Sequence, residues 1–322
     1  MSETILITGG SGFLGRQLIG ELIGQGNRIV IFDLKSPAPV LHGDDHDVVH
    51  VRGDITNLPE VLNAVRDFTP ETIFHLAALL SEPSEANPWA SINVNGLGTY
   101  HILEAARLFD TKRVIFTSSM AVYVNSEHRV EVISEPAIQR PQIIYGVTKA
   151  FSELLGLYYH RKFGMDVRGI RLPQLIGPNV ESQGFGQYNS KIIQAAILRL
   201  PFEVKVPEET VVPLLYVKDA VRSLVMLYHA PEDGLVTRIY NVGQIMPPPR
   251  AVDIVNAVRR YYPGAQITFK PDPGFTEVAK NTPREIKGDE AQREWSWSVS
   301  YSLEDAVKDF VQSFTASENG ES

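Results

Sequence analysis

Tyr145 and Lys149 are the side chains of this sequence with the clearest chemical potential, because they set a phenol and an ammonium four residues apart. If a helix begins near Tyr145, positions i and i+4 share one face. A free phenol, with a pKa of about 10, is a poor base at neutral pH. Nearby positive charges in a site sheltered from water lower that pKa. The pair therefore predicts a proton acceptor for the oxidation of a hydroxyl group, with Lys149 as its electrostatic partner.

Hydroxyl residues precede this pair at the end of an apolar segment. Residues 113–117 are typical of a buried strand, and they run into Ser118 and Ser119. We expect Ser119 to hydrogen bond the reacting oxygen beside Tyr145, with Ser118 in support. A serine pair after a strand is common in turns, so this prediction depends on its combination with Tyr145 and Lys149.

A glycine triplet near the start of the chain predicts a pyrophosphate site. Gly9, Gly12 and Gly15 follow an apolar run directly and open a helical pattern. Glycine is needed where the backbone approaches a pyrophosphate and where a helix and a strand are in close contact. The N-terminus of the helix then offers unpaired N–H groups and a partial positive charge to the anion.

Acidic residues at the ends of the next two strands refine this prediction. Asp33 lies 18 residues after Gly15 and can accept hydrogen bonds from both ribose hydroxyls of an adenosine. Its charge would repel a 2′-phosphate, so the sequence favours NAD over NADP as the cofactor. Asp54 and Ile55 are placed to cover the adenine ring.

The elements that must position these residues alternate between short apolar runs and longer helical patterns. The predicted strands are residues 4–8, 28–33, 48–51, 72–75, 113–117 and 167–171. The predicted helices lie near residues 12–24, 58–68, 89–109 and 146–163. This alternation favours a parallel sheet covered by helices. The predicted fold class is α/β, a doubly wound Rossmann parallel sheet with a smaller C-terminal substrate-binding lobe.

The composition of the chain changes after Pro173, where prolines and glycines become frequent. We expect residues 1–172 to form the NAD-binding Rossmann domain, and residues 173–314 to form mainly the substrate-binding lobe. One helix, near residues 217–228, is expected to return to the core. The small polar residues 315–322 predict a flexible tail.

Bulk properties exclude several classes of function. A net charge of −8 without a basic cluster makes nucleic acid an unexpected partner. The absence of cysteine removes disulfides, thiolate nucleophiles and cysteine zinc sites. No apolar run approaches the roughly 20 residues of a membrane span, so we expect a cytoplasmic protein with no membrane partner. His42, His46 and His50 recur every four residues, but their segment is typical of a loop and a strand, so we expect no metal site.

Taken together, these motifs resemble those of the extended short-chain dehydrogenases/reductases, within the NAD-dependent epimerase/dehydratase family. The likeness covers almost the whole chain. It is carried by the glycine triplet, Asp33, Tyr145 with Lys149, and three further segments: His75-Leu76-Ala77-Ala78, Asn93-Val94-Asn95-Gly96 and Ser118-Ser119. The resemblance implies a Rossmann domain that binds NAD(H), and a catalytic trio of Ser119, Tyr145 and Lys149.

The resemblance also implies which other residues lie at the site. Residues expected at the cofactor are Phe13, Leu14, Leu76, Ala77, Ala78, Asn93, Thr117, Leu172 and Pro173, together with Tyr145 and Lys149. Residues expected at the substrate are Ser81, Ser119, Tyr145, Phe185, Gln187 and Tyr188. A homodimer is implied as well, formed through a four-helix bundle of residues 89–109 and 146–163 from each chain.

Two branches of this group stay open. Nucleotide-sugar epimerases and dehydratases keep an arginine that holds the diphosphate, and Val212 stands at its expected position here, although Arg222 or Arg284 could replace it from another direction. Residues 75–81, 145–149, 162–171, 212–217 and 291–297 resemble the short-chain type of L-threonine 3-dehydrogenase. That branch has an aspartate before the tyrosine of a glycine-rich segment, where this chain has Gln187, and Phe185 adds apolar bulk.

We therefore expect an NAD-dependent oxidoreductase that transfers a hydride between NAD(H) and a secondary hydroxyl or ketone. The substrate would be small or medium-sized and polar, such as a hydroxy acid or an amino-acid-like or sugar-acid-like compound. A nucleotide-sugar epimerase or dehydratase with tightly bound NAD is the first alternative. A non-catalytic NAD-sensing module is the second, and the intact trio argues against it.

Overall fold

Seven parallel strands form the central sheet of the protein. The computed structural model describes residues 2–35, 48–125, 130–178, 180 and 185–318. The strands are β1 (Thr4–Thr8), β2 (Arg28–Asp33), β3 (Val48–Arg52), β4 (Thr72–His75), β5 (Arg113–Ser119), β6 (Asp166–Leu172) and β7 (Ile239–Asn241). Their order across the sheet is β7-β6-β5-β4-β1-β2-β3, and each neighbouring pair is parallel. The predicted α/β fold with a Rossmann-like parallel sheet is thereby confirmed.

The strand order reverses between β1 and β4. From β1 the chain proceeds to β2 and β3 on one side, then returns to β4 on the other side. At this point the register pairs Thr8 with His75, the last residues of the two strands. Ligands of open α/β sheets bind in the crevice outside such a reversal. The topology therefore places the candidate site at the carboxyl ends of β1 and β4.

All six predicted strands are present, and each lies within two residues of its expected bounds. They were recognisable because strands buried on both faces are continuous runs of Ile, Val and Phe. Strand β7 is not predicted from the sequence, because it has only three residues and lies in the proline-rich half of the chain. It pairs with β6 and completes one edge of the sheet.

Twelve α-helices occur in the described part of the chain. They are α1 (Phe13–Ile23), α2 (Leu58–Phe68), α3 (Ser81–Ala86), α4 (Pro88–Ser91), α5 (Gly98–Leu108), α6 (Ile144–Phe163), α7 (Tyr188–Ile197), α8 (Val217–His229), α9 (Ala251–Tyr261), α10 (Pro273–Asn281), α11 (Asp289–Trp295) and α12 (Leu303–Glu318). None of them, within the described residues, has the length and apolar character that crossing a bilayer requires.

The helix predicted near residues 89–109 is interrupted by a π-helical segment, Ile92–Leu97, between α4 and α5. The carbonyl of Asn95, within this segment, accepts hydrogen bonds from the Thr99 hydroxyl at 2.6 Å and the Ser152 hydroxyl at 3.2 Å. The two hydroxyl groups therefore compete with the backbone N–H groups of the helix for this carbonyl. Competition of this kind distorts helices, and the π-helical segment contains the carbonyl at which it occurs.

The C-terminal half forms a second apolar core beside the sheet. Helices α7, α9 and α12 contribute Ile192, Ile254 and Phe310 to it. Three short parallel pairs accompany them: Gln174–Ile176 with Leu214–Tyr216, Phe202–Val204 with Ile267–Phe269, and Val132–Ile133 with Glu285–Ile286.

Two helices of this half, α8 and α12, extend beyond its own core or beyond its predicted end. Helix α8 packs instead in the core of the sheet, where Leu224 joins Leu18 of α1. Helix α12 continues to Glu318, so the first four residues of the predicted tail are helical, and residues 319–322 lie outside the described residues.

Candidate active site

The Tyr145 phenol and the Lys149 ammonium lie together in the first two turns of α6, as the four-residue spacing predicts. Helix α6 begins at Ile144, and both side chains are buried, with exposed fractions of 8% and 6%. The Nζ of Lys149 lies 5.7 Å from the centroid of the Tyr145 ring. It donates a hydrogen bond of 2.7 Å to the carbonyl of Thr117 in β5. The strand thus fixes the position of the ammonium beside the phenol.

Ser119 is the last residue of β5 and faces the first turn of α6. Its Oγ accepts a hydrogen bond of 3.1 Å from the backbone N–H of Ala121, so its own proton is available for another acceptor. A hydrogen bond between Ser119 and the Tyr145 phenol lowers the pKa of that phenol. The structure therefore brings the three predicted catalytic residues together.

Burial determines the protonation of this group of residues. It raises the pKa of Tyr145 to about 12, against the opposing hydrogen bond from Ser119. Burial also lowers the pKa of Lys149 to about 8, and the negative charge of Glu153 opposes that change. The protein's own groups therefore keep the phenol protonated at neutral pH. That the Lys149 ammonium and the positive charge of an oxidised nicotinamide together lower the pKa of this phenol stays a prediction.

The glycine triplet forms a tight turn between β1 and α1. Gly9 has a positive φ of 71°, and a Cβ there would lie 2.7 Å from the backbone nitrogen of Ala77. A Cβ on Gly15 would lie 2.5 Å from the carbonyl oxygen of Gly9. The N–H of Gly12 closes the turn by donating to the same carbonyl at 3.0 Å. A Cβ is therefore excluded at Gly9 and Gly15, which leaves the open backbone that a pyrophosphate requires.

Asp33 lies beside this turn at the end of β2. Its Oδ2 accepts a hydrogen bond of 3.0 Å from the backbone N–H of Ser11, and its Oδ1 accepts one of 3.1 Å from the N–H of Lys35. The carboxylate is half-buried and keeps further lone pairs for the hydroxyls of a ribose. Ser11 was not singled out by the sequence, although it stands within the glycine-rich turn.

A cavity of about 360 Å³ opens over these residues. Ten of the predicted site residues line it: Gly9, Gly12, Phe13, Asp33, Asp54, Ile55, Leu76, Ala77, Ala78 and Gln187. Ten further residues line the cavity and were not among the predicted site residues: Ser11, Arg16, Phe32, Leu34, Lys35, Gly53, Leu79, Leu80, Val94 and Val180. These residues lie close together because of the strand order, and no local sequence pattern predicts that proximity.

The remaining predicted cofactor residues do not line this cavity, and they include Gly15, Thr117, Tyr145 and Lys149. Leu14 packs against the apolar cores, and Leu172 and Pro173 are buried at the end of β6. The Asn93 amide donates to the carbonyl of Trp89 at 2.7 Å. Its neighbour in the π-helical segment, Val94, faces the cavity instead.

Two buried side chains, His75 and Asn95, hydrogen bond the segments next to the cavity. His75 has its ring nitrogens 2.8 Å from the Thr8 hydroxyl and 3.0 Å from the Thr99 hydroxyl. Burial, aided by the charge of Lys149, lowers the pKa of His75 to about 3, so the ring is neutral. The Asn95 amide accepts from the N–H of Leu79 at 2.8 Å and donates to its carbonyl at 3.0 Å. Both residues support the loop after β4 that borders the cavity.

Apart from Ser119 and Tyr145, the predicted substrate residues lie on three elements. Ser81 is exposed at the start of α3. Residues 185–187 form a single 3₁₀ turn, and Tyr188 begins α7 and is buried. The Oε1 of Gln187 is buried and has no hydrogen-bond partner among the described residues. An acceptor of this kind, at the wall of the cavity, is suited to a donor on a ligand.

Most of the histidine series lies outside the described residues. His42 and His46 lie outside the described residues, and His50 is on β3. Within the part of the chain that is described, no group of three or more His, Asp or Glu side chains could hold a metal ion.

Comparisons with known proteins agree with this geometry. The model of the NAD dependent epimerase/dehydratase family matches residues 5–243. An uncharacterized epimerase/dehydratase of Staphylococcus haemolyticus is 31% identical over 311 residues, which cover 94% of each chain.

Among solved structures, an L-threonine dehydrogenase from Phytophthora infestans is 30% identical, with a TM-score of 0.88 and coverage of 98% of this chain and 99% of that one. An L-threonine dehydrogenase from Cupriavidus necator, in its holo form, is 28% identical, with a TM-score of 0.88 and coverage of 96% and 99%. The match to the family model spans the whole parallel sheet and the glycine turn, Asp33, Ser119, Tyr145 and Lys149 built upon it. The chain therefore belongs to the NAD dependent epimerase/dehydratase family, and within it to the extended short-chain dehydrogenases/reductases.

Proposed function

We propose that this protein is an NAD-dependent dehydrogenase that oxidises a secondary hydroxyl of a small or medium-sized polar substrate, or reduces the matching ketone. One observation carries the proposal: Ser119, Tyr145 and Lys149 converge in the structure, and the charge of Lys149 acts on His75, which directly precedes the cavity-lining Leu76. A protein that only binds a dinucleotide has no use for a buried phenol and ammonium at that position.

The residues around the cavity fit NAD. The glycine turn has no room for a Cβ, which suits a pyrophosphate, and Asp33 stands where it can accept from ribose hydroxyls. Ile55 and Asp54 line the same cavity and suit the adenine ring. A 2′-phosphate would meet the negative charge of Asp33, so NAD is preferred to NADP.

The chain's own residues handle the proton of the reaction. Bound NAD⁺ supplies the acceptor for the hydride that leaves the substrate carbon. The Oγ of Ser119, already an acceptor from Ala121, donates to the reacting oxygen and orients it. Tyr145 takes the proton of that hydroxyl through its phenolate oxygen. Lys149 remains an ammonium below its pKa of about 8 and, anchored on Thr117, stabilises the negative phenolate.

A nucleotide-sugar enzyme needs a cation that holds the diphosphate. The three residues considered for that role here are either apolar or paired with other groups. Val212 is fully buried in the second apolar core. Arg222 donates to Asp219 at 2.8 Å and stacks over Trp297 at 4.3 Å. Arg284 pairs with Glu131 at 3.3 Å, and both are exposed. These contacts favour a dehydrogenase over an epimerase of nucleoside diphosphate sugars.

Gln187 bears on which substrate is used. The similar structures are L-threonine dehydrogenases, and threonine carries an ammonium next to its hydroxyl-bearing carbon. The neutral amide of Gln187 accepts a hydrogen bond but supplies no negative charge for an ammonium. We therefore propose hydroxy acids and polyol acids, whose hydroxyl groups donate to Oε1, as better substrates than threonine.

We also propose that the protein is a homodimer. An apolar strip of Val147, Phe151, Leu154 and Tyr158 is exposed along α6, with exposed fractions from 43% to 66%. Trp89, Ile92, Leu97, Tyr100 and Leu108 add exposed apolar surface on the neighbouring segment from α4 to α5. Exposed apolar strips on two adjacent helices suit a four-helix bundle with a second copy of the chain.

The test of the dehydrogenase proposal is NADH formation by purified protein, followed by its absorbance, with NAD and a panel of hydroxy compounds. The panel contains L-threonine, other 3-hydroxy acids, sugar acids and simple secondary alcohols. Reduction of NAD by a hydroxy acid or a sugar acid at a higher rate than by threonine is the expected result. Conversion of UDP- or dTDP-sugars without net formation of NADH would overturn the proposal in favour of an epimerase or dehydratase.

A further inference from the structure

A buried carboxylate lies directly behind the catalytic pair. Glu153 follows Lys149 by one turn of α6 and has an exposed fraction of only 2%. It accepts hydrogen bonds from the Ser118 hydroxyl at 2.5 Å and from the Gln139 amide at 2.6 Å. Ser118 immediately precedes Ser119, so the carboxylate is joined to the strand end that carries one catalytic residue and to the helix that carries the other two.

A buried arginine completes this arrangement. Arg171 donates to Glu153 through Nε at 2.9 Å and through Nη2 at 2.8 Å. It lies on β6 directly opposite Ser118 in the register of the sheet. Its Nη1 donates to the Tyr123 hydroxyl at 2.7 Å, and Tyr123 belongs to the 3₁₀ turn that follows Ser119. Glu153 and Arg171 therefore tie together β5, β6, the turn after Ser119 and α6.

We propose that Glu153 is a positioning residue of the active site, which holds the Ser118–Ser119 end of β5 against α6 and keeps Lys149 in its ammonium form. The proposal rests on the dehydrogenase function argued above for Tyr145 and Lys149. Glu153 touches none of the reacting groups in it and acts through Ser118 and Lys149.

The charges around Lys149 favour this role for Glu153. Burial lowers the pKa of Lys149, and Glu153 is the negative group that raises it again. Other titratable groups on the packed elements are neutral or engaged elsewhere: neutral His75 on β4, Glu85 at the backbone of Ile144, Glu104 with Arg107 and Tyr159, and Tyr123 with Arg171. Removing the charge of Glu153 therefore leaves burial unopposed, and Lys149 loses its proton at a lower pH.

The first test measures Lys149 directly, without any substrate. Its titration can be followed by the NMR signal of ¹³C-labelled lysine side chains, assigned by comparison with Lys149→Arg. In Glu153→Gln we expect the midpoint to fall by about one pH unit or more, because an opposite charge close by is worth about one to three units. Glu104→Gln is the matched control, since Glu104 also hydrogen bonds a side chain of α6, Tyr159, but is not next to Lys149. An unchanged midpoint in Glu153→Gln would overturn the proposal.

A second variant covers the case in which Glu153→Gln does not fold, because it leaves the Arg171 charge buried without a partner. The double variant Glu153→Met with Arg171→Met removes both charges and keeps apolar bulk. It should fold and still show a lowered midpoint for Lys149, by less than in Glu153→Gln because the unpaired charge of Arg171 is gone as well. A wild-type midpoint in it would contradict the proposal.

Turnover is read separately with the best substrate of the panel. If the dehydrogenase function holds, kcat of Glu153→Gln should fall about tenfold or more and its alkaline limb should move to lower pH, with KM for NAD unchanged. A lowered Lys149 midpoint in a protein that oxidises no substrate would retain the electrostatic role of Glu153 and reject the reaction. A wild-type pH profile of kcat in Glu153→Gln would reject the positioning role and retain the reaction.

Discussion

The backbone N–H of Ser11 donates a 3.0 Å hydrogen bond to the carboxylate of Asp33, which joins the glycine turn after β1 to the end of β2. The residue that would bind the ribose is therefore held by the loop that would bind the pyrophosphate. Since the same N–H can donate to a neutral amide oxygen, the charge of Asp33 can be removed without removing this contact.

Asp33→Asn should weaken the preference for NAD. Loss of a charged acceptor for the ribose hydroxyls costs about 1.5–3 kcal/mol, or roughly tenfold to a hundredfold in affinity. We expect kcat/KM with NAD to fall by that factor and the ratio of NAD to NADP activity to fall with it. Asp54→Asn changes the same charge in the same cavity, but it should leave the ratio unaltered, because Asp54 is assigned to the adenine ring.

Gly15→Ala should disrupt the glycine turn. The added Cβ would lie 2.5 Å from the carbonyl oxygen of Gly9, which is backbone and cannot move aside cheaply. We expect a loss of about 1–3 kcal/mol in the free energy of unfolding, measured with urea, and weaker binding of NADH, measured by fluorescence. Gly20→Ala in the same helix meets nothing within 4 Å and should stabilise the protein by about 0.5–1 kcal/mol. Equal behaviour of the two variants would contradict the steric argument.

Tyr145→Phe should abolish proton transfer while it keeps the fold and the cofactor site. The phenyl ring retains the burial of the side chain, and only the hydroxyl that interacts with Ser119 is lost. We expect kcat to fall about a hundredfold to ten-thousandfold, with unchanged binding of NADH. Tyr158→Phe, on the exposed side of the same helix, should keep full activity. Substantial turnover by Tyr145→Phe would remove Tyr145 from the mechanism.

Lys149→Met should stabilise the protein near neutral pH, although it impairs activity. The pKa of Lys149 is about 8 in the folded state, below its ordinary value of 10.5, so the unfolded chain binds the proton more tightly. This preference opposes folding fully below about pH 8 and disappears as the pH rises to about 10.5. We expect the variant to be about 1–3 kcal/mol more stable near pH 7, with the difference shrinking by about pH 10.

Urea denaturation of both proteins across this range measures the effect. Lys162→Met removes an exposed lysine from the last turn of the same helix and is the matched control. A difference between Lys149→Met and the original protein that does not shrink with rising pH would contradict the lowered pKa of Lys149.

Leu154→Glu should convert a dimer into a monomer. Leu154 is 66% exposed in the middle of the apolar strip on α6, so a charge there would be buried in the proposed four-helix bundle. Light scattering should give the mass of one chain for this variant and of two chains for Val236→Glu, whose site is 83% exposed and distant in sequence from the strip. A single-chain mass for the unaltered protein would reject the dimer.

The sequence predicted the main sheet well because its strands are marked by local composition. It also predicted that Ser119, Tyr145 and Lys149 lie together, since the spacing of Tyr145 and Lys149 is fixed by helical geometry and Ser119 ends a recognisable strand. In contrast, β7 is three residues long, and no local pattern predicts its pairing with β6.

The pKa values of Tyr145 and Lys149 could not be predicted from the sequence either. The pKa of Tyr145 depends on how far its ring is buried, and that of Lys149 depends on burial and on Glu153. The partner of Glu153, Arg171, lies on a different element 18 residues later, and only the packing of α6 on β6 brings them together. Such pairings are set by tertiary structure, so spacing along the chain does not predict them.

The position of β7 in the chain has a consequence for how the protein can be made. Residues 1–172 contain the glycine turn and the catalytic trio, yet a fragment that stops there leaves β6 as a bare edge with unpaired N–H and C=O groups. It also lacks α8, which covers α1. On the ribosome, the nucleotide-binding sheet closes only after Asn241 has emerged. A dissected N-terminal fragment is therefore expected to aggregate, and the two halves are expected to fold as one cooperative unit.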